Sequence, residues 1–285
     1  MTVPCELQVG QLSVRGLSLA GVETCLQVPQ LDLCFDVGHC PRSFLHVRHL
    51  FISHAHADHA AGFVGLLALR LLHSVQEPLE VYGPAVLLDA LRVAATAYER
   101  AQGHPYHWRA HPLSPGDEVA LDSRRVVKAF AVTHVIETFG FTVYEDFAKL
   151  KAIYKDLPGP EIARLKRQGV AITDTVRRPM LSFSGDTTIE ALEREPDLLA
   201  SRVLLLESTY LDARKTVGQC REHGHVHLDE ILERADGFQN EHLVLTHFSQ
   251  CYSPPEVRRI VAERAEGRLR PALHVFAPPG EHWPG

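Results

Sequence analysis

The chain has 285 residues, with 29 lysines and arginines against 35 aspartates and glutamates, a formal charge of −6. That length suits one large α/β domain or two small ones, and the mild negative charge argues against a generally basic nucleic-acid binder while allowing a local basic patch. The six scattered cysteines form no Cys-x-x-Cys pair, which argues against a zinc ribbon or redox dithiol; with no signal peptide and no apolar run of bilayer length, a cytoplasmic protein with reduced thiols is expected.

Residues 22–28 and 31–36 read as two strands around the turn Pro29-Gln30, the second running into Asp36-Val37-Gly38. A short apolar strand at 49–52 leads into Ser53-His54-Ala55-His56-Ala57-Asp58-His59. Four potential metal ligands within six residues are hard to explain as packing. Alternation in an extended segment puts His54 and His56 on one side, and a turn after Ala57 swings Asp58 and His59 toward the same point. Imidazole with carboxylate suits zinc or another borderline divalent cation. Residues 62–72 read as a buried helix whose N-terminal dipole aims near this loop. A short strand at 80–82 precedes a helix at 85–100 opened by Pro84. Residues 125–132 read as a strand ending in Thr133-His134, with 140–144 as its hairpin partner.

Residues 145–180 hold Lys149, Lys151, Lys155, Arg164, Lys166, Arg167, Arg177 and Arg178 against Glu145, Asp146, Asp156, Glu161 and Asp174, a net positive stretch in a net negative protein. The charge pattern reads as a solvated helical connection, with Pro158-Gly159-Pro160 stopping any helix and making a turn. Strands are expected at 181–186, 202–206 and 242–246, ending in Asp186, Glu207 and His247. Helices are expected at 228–235 and 254–265. No linker separates two domains, so one domain over 1–285 is expected.

Five strands therefore end in a ligand-capable residue, which is where α/β folds build sites. Two metals about 3.5–4 Å apart need about three ligands each and a bridge. His54, His56 and His134 supply one metal, Asp58, His59 and His247 the other, and Asp186 can bridge them.

These ordered motifs, His54-Ala-His56-Ala-Asp58-His59, His134, Ser184-Gly185-Asp186-Thr187 and Thr246-His247-Phe248-Ser249, resemble those of the metallo-β-lactamase superfamily. Within it the chain resembles ribonuclease Z, the tRNA 3′-processing endonuclease, and most of all its short plant-type form. Cys34-Phe-Asp-Val-Gly-His-Cys-Pro41, Leu165-Lys-Arg-Gln-Gly-Val-Ala-Ile-Thr-Asp174, Glu207-Ser-Thr-Tyr210 and Glu222-His-Gly-His-Val-His-Leu228 carry that likeness, which spans roughly residues 22–276.

The resemblance implies an α/β fold of the αββα sandwich type, with two packed mixed sheets flanked by helices. It implies two zinc ions at one edge, although His/Asp ligation also accepts manganese or iron. It further implies a homodimer and an endonucleolytic cut of precursor tRNA that leaves a 3′-hydroxyl on the tRNA body. Two cations acidify a shared water, and the resulting hydroxide attacks the scissile phosphorus. Asp58 holds a metal and can orient or deprotonate that water. His225 is the candidate acid for the leaving oxygen, with Glu207 raising its pKa and fixing its tautomer; His227 is the rival for that role.

In the family an inserted arm with a Gly-Pro motif grips the tRNA elbow. Here Lys149, Lys151, Lys155, Gly159, Pro160, Arg164, Lys166 and Arg167 are the corresponding contacts, in a short and modestly positive segment. A second departure is Cys251, where the family pattern has arginine. The alternative reading is a hydrolase of the same fold that acts on a small phosphodiester, lactone or thioester. A non-catalytic RNA-binding module is disfavoured by the complete ligand set.

Overall fold

The central strands of this chain read as short continuous apolar runs, so they bury one face toward a partner sheet and the other toward helices. A computed structural model describes residues 5–40 and 42–283; Pro41 of the 34–41 segment lies outside them. One seven-stranded sheet runs in chain order through β1 (Cys5–Val9), β2 (Leu12–Leu19), β3 (Glu23–Val28), β4 (Leu33–Phe35), β5 (His49–Phe51), β6 (Leu79–Pro84) and β7 (Trp108–Leu113). The other contains β8 (Glu118–Ala120), β9 (Arg125–Ala131), β10 (Phe139–Leu150), β11 (Thr173–Phe183), β12 (Val203–Glu207), β13 (His242–Thr246) and β14 (Ala272–Val275). Both sheets are mixed: β1 to β4 and β8 to β11 pair antiparallel, whereas β4 to β7 and β11 to β14 pair parallel.

The alternation of side chains along each strand sorts them into three cores. Leu33, Phe35 and Phe51 face Phe141, Phe183, Leu205 and Val244 between the sheets. Phe35 stacks on Phe183 with ring centroids 4.9 Å apart, a geometry that adds to simple area burial. Cys34, Leu50 and Val81 point the other way, toward α2 (Phe63–Leu72) and α3 (Ala85–Gln102). On the far side, Leu204, Leu206, Leu243 and Leu245 meet α8 (Leu228–Glu233) and α9 (Pro254–Ala265). The result is the expected helix–sheet–sheet–helix stack. No helix among the described residues is long and apolar enough to cross a membrane.

The remaining helices are short: α1 (Ala57–Ala60), α4 (Gly159–Arg167), α5 (Ala191–Arg194), α6 (Pro196–Ala200) and α7 (Val217–Glu222). The expectation for 145–180 needs correcting. The two ends of that segment form a ribbon from the outer halves of β10 and β11, paired from Glu145 with Arg178 to Leu150 with Thr173, and α4 lies in the tip between them. Pro158-Gly159-Pro160 opens α4 instead of stopping a helix, because the fixed φ of proline suits the first helical turn, where its missing N–H costs nothing.

Candidate metal centre

The ligand loop follows β5, and α1 forms within it. His56 is extended at the N-cap of α1, so Asp58 and His59 fall in the first turn, on the side where His54 and His56 already point. The loop is braced by backbone crowding. A Cβ on Gly38 would lie 1.8 Å from the Asp58 carbonyl oxygen, so only glycine allows this approach. Val37 N–H donates to the His59 carbonyl at 2.8 Å.

The second sheet brings the other residues to the same edge. His134 lies in the connection between β9 and β10, Asp186 follows β11, Glu207 ends β12, and His247 follows β13 at a φ of 58°. Two cages result. His54 Nε2 and His134 Nε2 lie 3.0 and 3.3 Å from His56 Nδ1. His59 Nε2 lies 3.4 Å from His247 Nε2 and 3.5 Å from Asp58 Oδ2. Asp186 Oδ2 reaches both cages, 3.8 Å from His54 Nε2, 3.3 Å from His59 Nε2 and 3.4 Å from His247 Nε2. These groupings are compatible with metal binding.

Five of the seven candidate ligands are oriented by a partner behind them, as metal-binding imidazoles require. His59 Nδ1 donates to Asp36 Oδ2 at 2.8 Å. His54 Nδ1 donates to Ser53 Oγ at 2.9 Å, and Ser53 Oγ donates in turn to Asp36. His134 Nδ1 donates to the Gly224 carbonyl at 3.0 Å. His247 Nδ1 donates to Thr209 Oγ1 at 3.1 Å, and that hydroxyl donates to Glu207 Oε2 at 2.7 Å. Asp58 Oδ2 accepts Gly21 N–H at 2.8 Å. In His54, His59, His134 and His247 the Nε2 nitrogens that face the cages thus keep their lone pairs inward, and His56 turns its Nδ1 to the same side.

The electrostatics match a cation site. Burial and the nearby His59 push His54 down to about 2, so its imidazole is neutral. Burial opposes charge on Asp58 and Asp186, yet the neighbouring histidines hold both carboxyls well below the usual range. Burial also works against a charged His59, but Asp186 and Asp36 on either side raise it far above an ordinary histidine. A cation would displace the proton these carboxylates favour, as metal binding does generally. Five imidazoles, four of them with satisfied outer nitrogens, and two carboxylates fit one or two divalent cations, and this donor set suits zinc.

Beside the cages, His225 Nδ1 donates to Glu207 Oε1 at 3.1 Å. Burial works against its charge, but Glu207 outweighs it and raises His225 to about 9. Glu207 also accepts Thr187 N–H at 2.7 Å and Val226 N–H at 3.1 Å, which fixes the carboxylate. His227 faces elsewhere. Its Nδ1 accepts Asp229 N–H and its Nε2 donates to the Asp212 carbonyl, both at 3.1 Å, as the N-cap of α8. An open cleft of about 430 Å³ leads in, lined among others by His56, His134, His225, Tyr210 and Gln250.

The basic residues are not brought to this edge. Lys149, Lys151, Lys155, Gly159, Pro160, Arg164, Lys166 and Arg167 lie in and around the ribbon and α4. Lys151 pairs with Asp174 at 3.9 Å and Arg164 with Glu161 at 3.3 Å. Asp36, Ser53 and Thr209 were not singled out from sequence. Asp36 did offer a signal, a carboxylate in a turn straight after an apolar strand, as with the other ligand positions.

The sequence profile of the beta-lactamase superfamily domain matches residues 36–248. tRNase Z TRZ1 of Arabidopsis thaliana is 36% identical over 275 residues, covering 95% of this chain and 96% of that protein. The chloroplastic tRNase Z TRZ2 of the same plant is 34% identical over 258 residues, covering 90% and 72%. Among solved structures, human tRNase Z, short form, aligns with a TM-score of 0.54 at 23% identity, covering 84% of this chain and 86% of the other.

Proposed function

This chain belongs to the beta-lactamase superfamily and, within it, to the tRNase Z family; from that premise we propose that it removes the 3′ trailer of precursor tRNA by hydrolysing one phosphodiester. It is a metal-dependent hydrolase of the endoribonuclease class. The observation that carries the reading is the Glu207–His225 pair beside two cages that share Asp186.

We assign His54, His56 and His134 to one divalent cation and Asp58, His59 and His247 to a second, with Asp186 common to both and zinc as the best match to the donors. Cations bound there would acidify a water and neutralise charge on the phosphoryl oxygens. The residues of the chain do the rest. Asp58, held in place by Gly21 N–H, can take a proton from the attacking water. Cleavage breaks the bond between phosphorus and the 3′-oxygen of the tRNA body, so that oxygen needs a proton and the trailer keeps a 5′-phosphate. His225 supplies the proton, and Glu207 both keeps it charged and fixes which nitrogen faces the cleft. The cations of the 145–180 arm, Lys149, Lys155, Lys166 and Arg167 above all, hold the RNA backbone, with affinity that falls as salt rises.

A single domain over 1–285 and a homodimer complete the reading, and the six free cysteines support a reducing compartment such as the cytoplasm. A labelled precursor tRNA with a 3′ trailer tests it. The wild-type protein cuts once, after the discriminator base, and a chelator stops the reaction. Asp58→Ala abolishes the cut. If that variant cleaves normally, the assigned centre is wrong; turnover of small esters alone would favour the small-molecule alternative.

A further inference from the structure

The ribbon, whose strands balance Lys149, Arg177 and Arg178 against Glu145, Asp146 and Asp174 and whose tip carries Lys151, Lys155, Arg164, Lys166 and Arg167, leaves the second sheet where its neighbours stop. β9 accompanies β10 only as far as Glu145, opposite Arg125, and β12 accompanies β11 only over residues 181–183. From Phe147 to Leu150 and from Thr173 to Val176 the two strands pair with each other alone. β11 then runs to Phe183, three residues before Asp186. At about 3.3 Å per residue, the far end of the ribbon stands roughly 40 Å from the metal centre. A two-stranded ribbon is marginal by itself, and a register shift at Val143/Tyr144 gives it a place to bend.

Contacts at the root oppose that bend. Arg177 Nε and Nη2 donate to the two oxygens of Asp146 across the ribbon, at 2.9 and 3.3 Å. Its Nη1 donates to both oxygens of Glu118 on β8 at 2.9 Å. The same guanidinium lies 5.9 Å from the centre of the Tyr144 ring, and the Tyr144 hydroxyl donates to Asp197 on α6. One planar cation therefore joins both ribbon strands to the edge of the sheet, with geometry that lysine does not reproduce.

We propose that Arg177 is a positioning residue that fixes the direction of the ribbon, so that an RNA gripped there presents one particular phosphodiester to the metal centre. The inference rests on the proposed function. It extends that reading by making the reach of the arm a property of the root contacts and not of the basic residues alone. Arg177 has no part in the chemistry, so a small phosphodiester that never touches the ribbon is indifferent to it.

Steady-state kinetics on labelled precursor tRNA and on bis(p-nitrophenyl) phosphate test this with Arg177→Ala, Arg177→Lys and Glu118→Gln. If one arm in ten remains correctly aimed, KM for the RNA rises about tenfold, while turnover of the small substrate stays within about twofold. Arg177→Lys falls between wild type and alanine. Glu118→Gln separates aiming from attraction. It removes a negative charge, so a root that acted only by attracting phosphate would bind RNA as well or better; loss of the clamp raises KM instead. An unchanged or lower RNA KM in Glu118→Gln overturns the inference and leaves the proposed function standing. A wild-type protein that cannot cut the RNA overturns both.

Discussion

Replacing Asp36 by asparagine should weaken metal binding without unfolding the protein. The carboxylate is fully buried and accepts three hydrogen bonds, from Ser53 N–H at 2.7 Å, Ser53 Oγ at 2.9 Å and His59 Nδ1 at 2.8 Å. Asparagine keeps the shape and one acceptor oxygen, so the contacts with Ser53 survive. Its amide nitrogen, however, would face the Nδ1–H of His59, donor against donor. His59 relieves the clash by moving its proton to Nε2, the nitrogen that points at Asp186 and His247, and it is then no longer a ligand. Partners in this position are worth about 10- to 100-fold in metal affinity, or about 1.4–2.7 kcal/mol. The assay is chelator competition on the metal-loaded protein, with circular dichroism to confirm the fold. A dissociation constant within threefold of wild type would refute the claim that Asp36 sets the tautomer of His59.

Two further outcomes follow from the same geometry. His225→Ala should lower precursor cleavage by about 10²- to 10⁴-fold with metal content intact, whereas His227→Ala should cleave normally and lose about 1 kcal/mol of stability with its helix cap; the opposite pattern in cleavage assays and thermal melts would reverse the assignment of the acid. Brief iodoacetamide treatment at pH 8 should label exposed Cys251 and spare Cys5 and Cys25, both pushed up to about 12 chiefly by burial; the thiolate is the reactive form, so an adduct on Cys25 in the native protein, found by peptide mass spectrometry, would contradict the packing of the first sheet.

The seven candidate ligands are legible in the sequence because they follow short continuous apolar runs, which mark strands buried on both faces such as β5, β12 and β13. Helix α9 is legible from Pro254 and Pro255 at its start and Gly267 just beyond its end. The edges are not. β7 reads Trp108-Arg-Ala-His-Pro-Leu113, polar and interrupted by proline, which only an edge strand tolerates. β2 contains Arg15 and Gly16, and a Cβ at Gly16 would lie 1.8 Å from the Cys25 carbonyl oxygen, a constraint set by a partner strand nine residues away. The ribbon escaped because its strands bury little, so no hydrophobic period marks them, and Pro-Gly-Pro was given its commoner meaning. Asp36 reads from sequence as a turn residue, because its partners Ser53 and His59 are distant along the chain and only the packed structure brings them to it.

Each cage draws two ligands from the loop of the first sheet and the rest from the second, His134 in one case, His247 in the other and Asp186 in both. Bound cations would therefore act as stitches along an open seam, adding to the apolar packing and to hydrogen bonds such as His247 N–H to Ser18 Oγ and Phe139 N–H to the Ser53 carbonyl that already join the two halves. A fragment ending near residue 115 would retain His54, His56, Asp58 and His59 side by side and still hold no closed cage. Loading with metal is then also a late check on assembly, since only correctly joined halves can retain the ions.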